Sequence, residues 1–426
     1  MKVIAAFLFT LFCAGVTFGL FIDRHSPNAY ARICDLVEKR IYLDAKDLGD
    51  WGSRCRARAA LVTADTLPEQ LARDLRALMA SLNVSHLNLY HPDEVRRAWA
   101  GEDRQTGIDS EFVDGELVVL KVEPGSPAQK AGVRFGDVIR RVQGEHPAPE
   151  IARVVGGSFS LNRGGRDLEV EIWPAPLQLD ERVRIESLDR DTALLRVPSF
   201  RAEFFGAEEW RRQALSLHDK RRIVLDLRGN SGGNFVAGLR FLSSFMCGRQ
   251  DIGYLYKPRS GRLLQEELPD DLSDEGQLEV MDRSDVVHMK TYSDYGCVTG
   301  RVAVLIDSAT ASTAEMVTQA LRDYVDARVF GITSSGQLLV GVWYPLPELG
   351  EDWRLSIPEA VYQSRRGRRL ESEGVRVDRA FYYNLADLRR GRDNWVDQAW
   401  LDLRRDGEKK EPRAPSRNEN GKSLSN

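Results

Sequence analysis

The stretch Arg301–Glu315, RVAVLIDSATASTAE, decides how this chain is read. Arg301 to Ile306 is an unbroken apolar run, the pattern of a buried parallel strand. Beyond the break, Ala314, Val317, Leu321 and Tyr324 recur at helical spacing. Ser312 therefore sits at a strand-to-helix junction. One reading makes it an N-cap, since Ser and Thr are preferred there. The other makes it a nucleophile: amides at a helix start and the positive end of its dipole favour the developing anion of acyl transfer.

Working outward, strands and helices alternate on both sides of this junction, as in an α/β layer fold. Thr192–Val197 and Arg222–Leu227 predict two more strands. The second leads into Arg228-Gly229-Asn230-Ser231-Gly232-Gly233, and a helix follows with Val236, Leu239, Leu242 and Phe245 on one face. If the strands before GNSGG and ATASTAE are neighbours, both loops open at one sheet edge, where such folds place ligands. GNSGG lacks the lysine and Ser/Thr of a Walker loop, so it does not indicate phosphate binding. Residues 250–298 are polar and are expected to be an irregular insertion. Between 104 and 180 the pattern changes to short strands and Gly/Pro turns: Leu117–Val122, Val138–Val142 and Leu168–Ile172, with a short helix from Ser126. Residues 23–103 are expected to be helical, with Leu71, Leu75, Leu78 and Leu82 on one helix face. The tail 406–426 lacks apolar content and is expected to be disordered.

The 426 residues are too many for one ordinary core. A net charge of −4 leaves no basic field for phosphate backbones, so nucleic acid is excluded as an expected partner. Val3 to Ile22 carries no charge and follows Lys2, which predicts export. Residues 1–22 are a signal peptide, with Thr17-Phe18-Gly19 before a cleavage point, or an uncleaved anchor to the membrane. Export permits disulfides. Setting Cys13 aside leaves Cys34, Cys55, Cys247 and Cys297. Three pairings are open, and Cys34–Cys55 with Cys247–Cys297 keeps each bond within one predicted domain; buried free thiols are the alternative. No Cys/His spacing suggests a metal site, and no cofactor is expected.

GELVVLKVEPGSPAQKAGVRFGDVIRRVQGE resembles a PDZ domain of the bacterial protease type. DLRGNSGG, SATASTAE with LRDY, and LESEGVRVD together resemble the carboxyl-terminal processing (tail-specific) serine protease superfamily, which includes the tricorn core. The resemblance implies a multidomain α/β (α+β) protein. Its parts would be a helical N-terminal region, an inserted PDZ domain at 104–180, and a protease core at 181–405 with a crotonase-like β/α layered sheet. It implies polypeptide substrates, cleaved near their C-termini in many members.

One departure bears on mechanism. The tail-specific branch has a lysine general base 25 positions after its serine, and here that position is Gln337. An amide cannot take the proton. Lys257 and Lys290 are the nearest lysines in sequence, both in the insertion. The tricorn-like branch uses a histidine instead, and Ser85-His86 resembles its Ser-His segment. Glu371 stands where the family carries its acid. The candidate catalytic set is therefore Ser312 as nucleophile, His86 as general base and Glu371 as orienting acid, acting through Ser85, with Gly233 and Thr313 amides as the oxyanion hole. His91 competes with His86, and Glu373 with Glu371. Asp323, Asp226 and Arg228 are expected to hold structure. In the PDZ segment, Gly107 and Ile108 belong to the expected carboxylate loop, although Asp109 and Glu111 would repel an incoming carboxylate. The competing class is a degenerate, non-catalytic relative that binds peptides without turnover.

Overall fold

A computed structural model describes residues 27–63, 65–258 and 264–410. The expected signal or anchor segment, and Cys13 within it, lie outside the described residues. Among those described, no helix is long and apolar enough to cross a membrane.

Helices open the chain: α1 (Pro27–Arg40), α2 (Ala45–Leu48), α3 (Trp51–Ala59) and α4 (Pro68–Ala80), followed by β1 (Asn88–Tyr90) and α5 (Pro92–Ala100). In α4, Leu71, Leu75 and Leu78 are buried at helical spacing, and Pro68 occupies the first turn, where its missing N–H costs nothing. They pack on Trp51, whose indole donates to the Leu78 carbonyl at 3.0 Å. Cys34 and Cys55 are disulfide-bonded and tie α1 to α3.

A two-stranded ribbon, β2 (Glu102–Gln105) with β8 (Ala175–Gln178), brackets a five-stranded antiparallel sheet. Its strands are β3 (Ile108–Val113), β4 (Glu116–Val122), β5 (Val138–Val142), β6 (Gly157–Arg163) and β7 (Arg166–Ile172), in sequence order, so β3 is an edge. Helices α6 (Pro127–Lys130) and α7 (Pro149–Val154) accompany this sheet. Ile108, Leu117, Val119, Ile139, Phe159 and Leu161 form its separate apolar core.

The rest is built on two six-stranded sheets. The first runs β19 (Arg379–Ala380), β16 (Arg328–Gly331), β15 (Arg301–Ile306), β11 (Arg222–Asp226), β10 (Thr192–Arg196), β9 (Arg184–Asp189). All its pairs are parallel except β9–β10. Alternate side chains explain the apolar runs. Ile223, Leu225, Val302, Val304 and Ile306 pack in one cluster with α9 (Phe235–Met246) and α11 (Thr313–Val325). Val224, Ala303, Leu305 and Phe330 pack in another with Trp395, Ala399 and Leu403 of α13 (Asn394–Lys410). A further helix, α8 (Ala207–Leu215), buries Trp210 against α9, and α12 (Leu385–Arg389) packs its Leu388 on β4 and β5.

The second sheet corrects the expectation of an irregular insertion. Residues 250–298 supply β12 (Asp251–Tyr256), β13 (Gln265–Glu267), α10 (Asp274–Arg283) and β14 (Val286–Lys290). With β17 (Leu339–Pro345) and the long β18 (Arg354–Ser364) they form a sheet that also takes in β1. These strands are short, and they join the sheet through β12, whose partner β18 is distant in sequence. Cys247 and Cys297 are disulfide-bonded across this segment, so none of the four described cysteines is a free thiol. The pairing Asn88↔Ser356 and Tyr90↔Arg354 carries the far-upstream Ser85-His86 segment onto the core.

Candidate active site

β11 and β15 are parallel neighbours, so GNSGG and ATASTAE emerge side by side. The two loops are laced together. The Ala311 amide donates to the Asn230 carbonyl at 3.0 Å, the Thr310 hydroxyl to the Leu227 carbonyl at 2.9 Å, and the Gly229 amide to the Asp307 carboxylate. Asn230 is fully buried, and its side chain accepts from the Gly232 amide at 2.8 Å.

Ser312 precedes α11 with φ 55° and ψ −124°, a conformation that costs a non-glycine residue about 1–3 kcal/mol. Its hydroxyl makes no capping hydrogen bond. The helix start is closed from the other direction: the Ser312 amide donates to the Glu315 carboxylate at 2.9 Å. Close approach of the GNSGG loop also requires glycine, because a Cβ on Gly232 (φ +102°) would lie 2.7 Å from the Ser312 Cβ.

The upstream histidine reaches the same edge of the molecule. Ser85 Oγ lies 2.8 Å from His86 Nδ1 and donates to Glu371 Oε2 at 2.9 Å, while the Ser85 amide donates to Glu371 Oε1 at 3.2 Å. Consecutive residues join this group to the Ser312 loop: the Gln337 carbonyl accepts from the Ser312 amide at 3.1 Å, and the Leu338 amide donates to Glu371 at 2.8 Å. His86, at φ 60°, packs on Gly341 and is partly exposed. Enclosure of the ring pushes its imidazole down to about 4, which keeps it neutral and able to accept a proton. No hydrogen bond links the Ser312 hydroxyl to the His86 ring in this structure. Such bonds are often long before substrate binds.

Neither the Gly233 nor the Thr313 amide has a hydrogen-bond partner among the described residues, while the Thr313 hydroxyl donates to the Gly233 carbonyl at 2.8 Å. Two unengaged N–H groups thus lie beside Ser312.

The competing residues are elsewhere. His91 caps α5, accepting from the Asp93 amide at 3.2 Å, and stacks edge-on against Trp353. Glu373 is exposed near Arg376. Lys257 bonds the Met281 carbonyl and Lys290 pairs with Glu267, both in the second sheet's insertion. The Gln337 main chain meets Ser312, but its side chain is exposed. Asp323 accepts from Gln319, and Arg228 joins Asp226 to Asp393. Gly107 and Ile108 lie where β3 starts. The flanking Thr106 amide already donates to the Arg153 carbonyl at 2.8 Å, and the Ile108 amide to the Thr106 hydroxyl at 3.3 Å. On β3, the Glu111 carboxyl is raised by desolvation and then by Asp307 and Asp109.

Sequence reasoning missed Glu315. It is fully buried and accepts four donors: the Ser312, Gly336 and Gln337 amides and the Ser334 hydroxyl. The Ser-x-x-Glu spacing from Ser312 was the available signal, since it is that of a capping box.

A parallel sheet with two laced loops, a strained serine and a hydrogen-bonded Glu–Ser–His run thus stand close together, and the comparisons bear out the likeness to processing proteases read from the motifs. Residues 191–381 match the model of peptidase family S41. A probable CtpA-like serine protease of Staphylococcus aureus (strain N315) is 23% identical over 288 residues, covering 64% of this chain and 51% of that protein. That of Staphylococcus haemolyticus is 22% identical over 285 residues. The chain therefore spans about half the length of the curated relatives it matches. Among solved structures, mature CPAF aligns with a TM-score of 0.58 at 11% identity, covering 91% of this chain and 98% of that one. The photosystem II D1 C-terminal processing protease aligns at 0.52 and 19%, covering 85% and 96%. At these identities the structural likeness speaks for the fold.

Proposed function

We propose that this chain is an exported serine endopeptidase that cleaves polypeptides through an acyl-enzyme on Ser312. Ser312 Oγ attacks the scissile carbonyl carbon while its proton passes to His86 Nε2. His86 Nδ1–H donates to Ser85 Oγ, and Ser85 in turn donates to Glu371. This run selects the tautomer and stabilises the imidazolium. The Gly233 and Thr313 amides hold the oxyanion. The imidazolium then protonates the leaving amine, and water, deprotonated by His86, releases the acyl group. The observation that carries this reading is the Glu371–Ser85–His86 run abutting the Ser312 loop through Gln337 and Leu338. Two disulfides favour an oxidising compartment, in keeping with the expected leader.

The five-stranded unit is read as the PDZ domain, at 104–180. Its edge strand β3 offers a ladder to an extended peptide. Carboxylate capture at Gly107 and Ile108 requires the Ile108 amide to leave the Thr106 hydroxyl.

A second reading, a peptide-binding relative without turnover, draws on Gln337 and on the absent Ser312–His86 hydrogen bond. Peptide hydrolysis by wild-type, Ser312→Ala, His86→Ala and Gln337→Ala proteins, with fluorophosphonate labelling of Ser312, separates the two. Loss of both activities in the first two variants, with Gln337→Ala active, supports the protease. An unreactive wild-type serine supports the binding protein, and an active His86→Ala protein refutes the histidine mechanism.

A further inference from the structure

Behind the loop that carries Glu371 is a cleft of about 470 Å³ lined by Gln319, Arg322, Arg368, Arg369, Glu373 and Arg376, with the backbone of 367–374. The chain as a whole is acidic, yet four arginines and one glutamate line this cleft. Arg322 is paired with Asp378 at 3.2 Å. The Arg376–Glu373 pair is 4.0 Å apart with both side chains largely exposed, so it neutralises little. Among the described residues, the Arg369 guanidinium hydrogen-bonds the Tyr256 hydroxyl, at 2.9 Å, and pairs with no carboxylate, while the Arg368 guanidinium makes no hydrogen bond or ion pair. Like-charged groups gathered with too few carboxylates raise the local potential for an anion.

We propose that this cleft binds a phosphate group. A phosphomonoester carries about −1.5 to −2 charge and three acceptor oxygens, which matches two guanidinium forks that lack a carboxylate. Volumes of several hundred Å³ are typical of small-ligand sites, so the bearer is a small molecule or a lipid headgroup. One wall of the cleft is α11, which starts beside Ser312. The other is the segment holding Glu371, whose neighbour Ser372 donates to the Gly336 carbonyl at 2.7 Å. A bound phosphate bridges the two walls and steadies the acid against the nucleophile helix. That consequence for hydrolysis rests on the protease reading, whereas the binding does not.

The test uses the full chain carrying Ser312→Ala, so its outcome is independent of turnover. Calorimetric titration with inorganic phosphate measures the free ligand. Cosedimentation with phosphatidylcholine vesicles, with and without phosphatidic acid, measures the headgroup. Saturable binding in either arm, weakened at least about 10-fold by Arg368→Gln with Arg369→Gln, supports the site and names its source. Both arginines are exposed, so the unliganded melting temperature should hold. Arg368→Lys, which keeps the charge and loses the fork, should weaken binding less than the double variant. Binding untouched by the double variant overturns the proposal, as does binding in neither arm at physiological salt.

Discussion

Glu315→Gln probes the one carboxylate on which the nucleophile loop converges. Oε2 accepts from the Ser312 and Gln337 amides at 2.9 and 3.0 Å, and Oε1 from the Ser334 hydroxyl and Gly336 amide at 2.6 and 2.7 Å. Glutamine preserves the shape but turns one acceptor into an NH₂ donor. Aimed at Ser312 and Gln337, the NH₂ orphans the Gln337 N–H, while the Ser312 N–H keeps the Gln337 carbonyl at 3.1 Å. Aimed at the other pair, it can donate to the Ser334 hydroxyl, and only the Gly336 N–H is orphaned. Either arrangement removes at least one hydrogen bond to a charged acceptor, about 1.5–3 kcal/mol, and weakens the others. Burial raises the Glu315 carboxyl, so removing the charge returns part of this cost. The net is about 3 kcal/mol, or roughly a 6–12 °C fall in melting temperature for a domain of this size. Thermal denaturation and the rate of fluorophosphonate labelling at Ser312 measure the two consequences. Labelling should slow at least about 10-fold at temperatures where the variant is still folded, because the Ser312 and Gln337 backbones lose their common anchor. A melting temperature within about 1 °C of wild type with unchanged labelling would refute the reasoning.

Ser85→Ala removes the bridge between Glu371 and His86, which leaves Nδ1 without a partner and the tautomer unselected. A kcat loss of about 10–100-fold at near-constant KM is expected by steady-state peptide hydrolysis. Gly341→Ala places a methyl 2.6 Å from Ser356 Oγ and 3.0 Å from His86 Cβ. The imidazole must move, and kcat should fall about 10-fold or more while the fold loses about 1–3 kcal/mol in denaturant unfolding. With the His86 imidazole lowered to about 4, its neutral form persists in moderate acid, so the acid limb of kcat/KM should lie well below 6.5. Because the folded pKa is depressed, the associated stability is present above 6.5 and lost as pH falls through 4. That contribution is up to roughly 3 kcal/mol, and its slope should vanish from pH-dependent unfolding of His86→Ala.

Local periodicity made the first sheet legible. The run Arg301–Ile306 folds as the strand it spells, and Val138–Val142 likewise, since each strand's apolar pattern meets a packed layer. The junction at Ser312 was legible too, and so was the pairing of the cysteines. Strands of three to six residues between 251 and 290 were not, since they are short and only β12 ties them to the rest of the sheet, through the sequence-distant β18. Glu315 was hidden among the polar residues of a helix start, where its four partners come from two separate segments.

The amino-acid order by itself determined the parallel strands, the loops that follow them and the types of side chain available for acyl transfer. Only the tertiary structure decided which of those side chains meet. Pairing of β1 with β18 brings Ser85 and His86 to Glu371, nearly three hundred residues away in the chain. Such a contact depends on strand register and hydrogen-bond geometry between distant segments, for which no local pattern of residues encodes a signal.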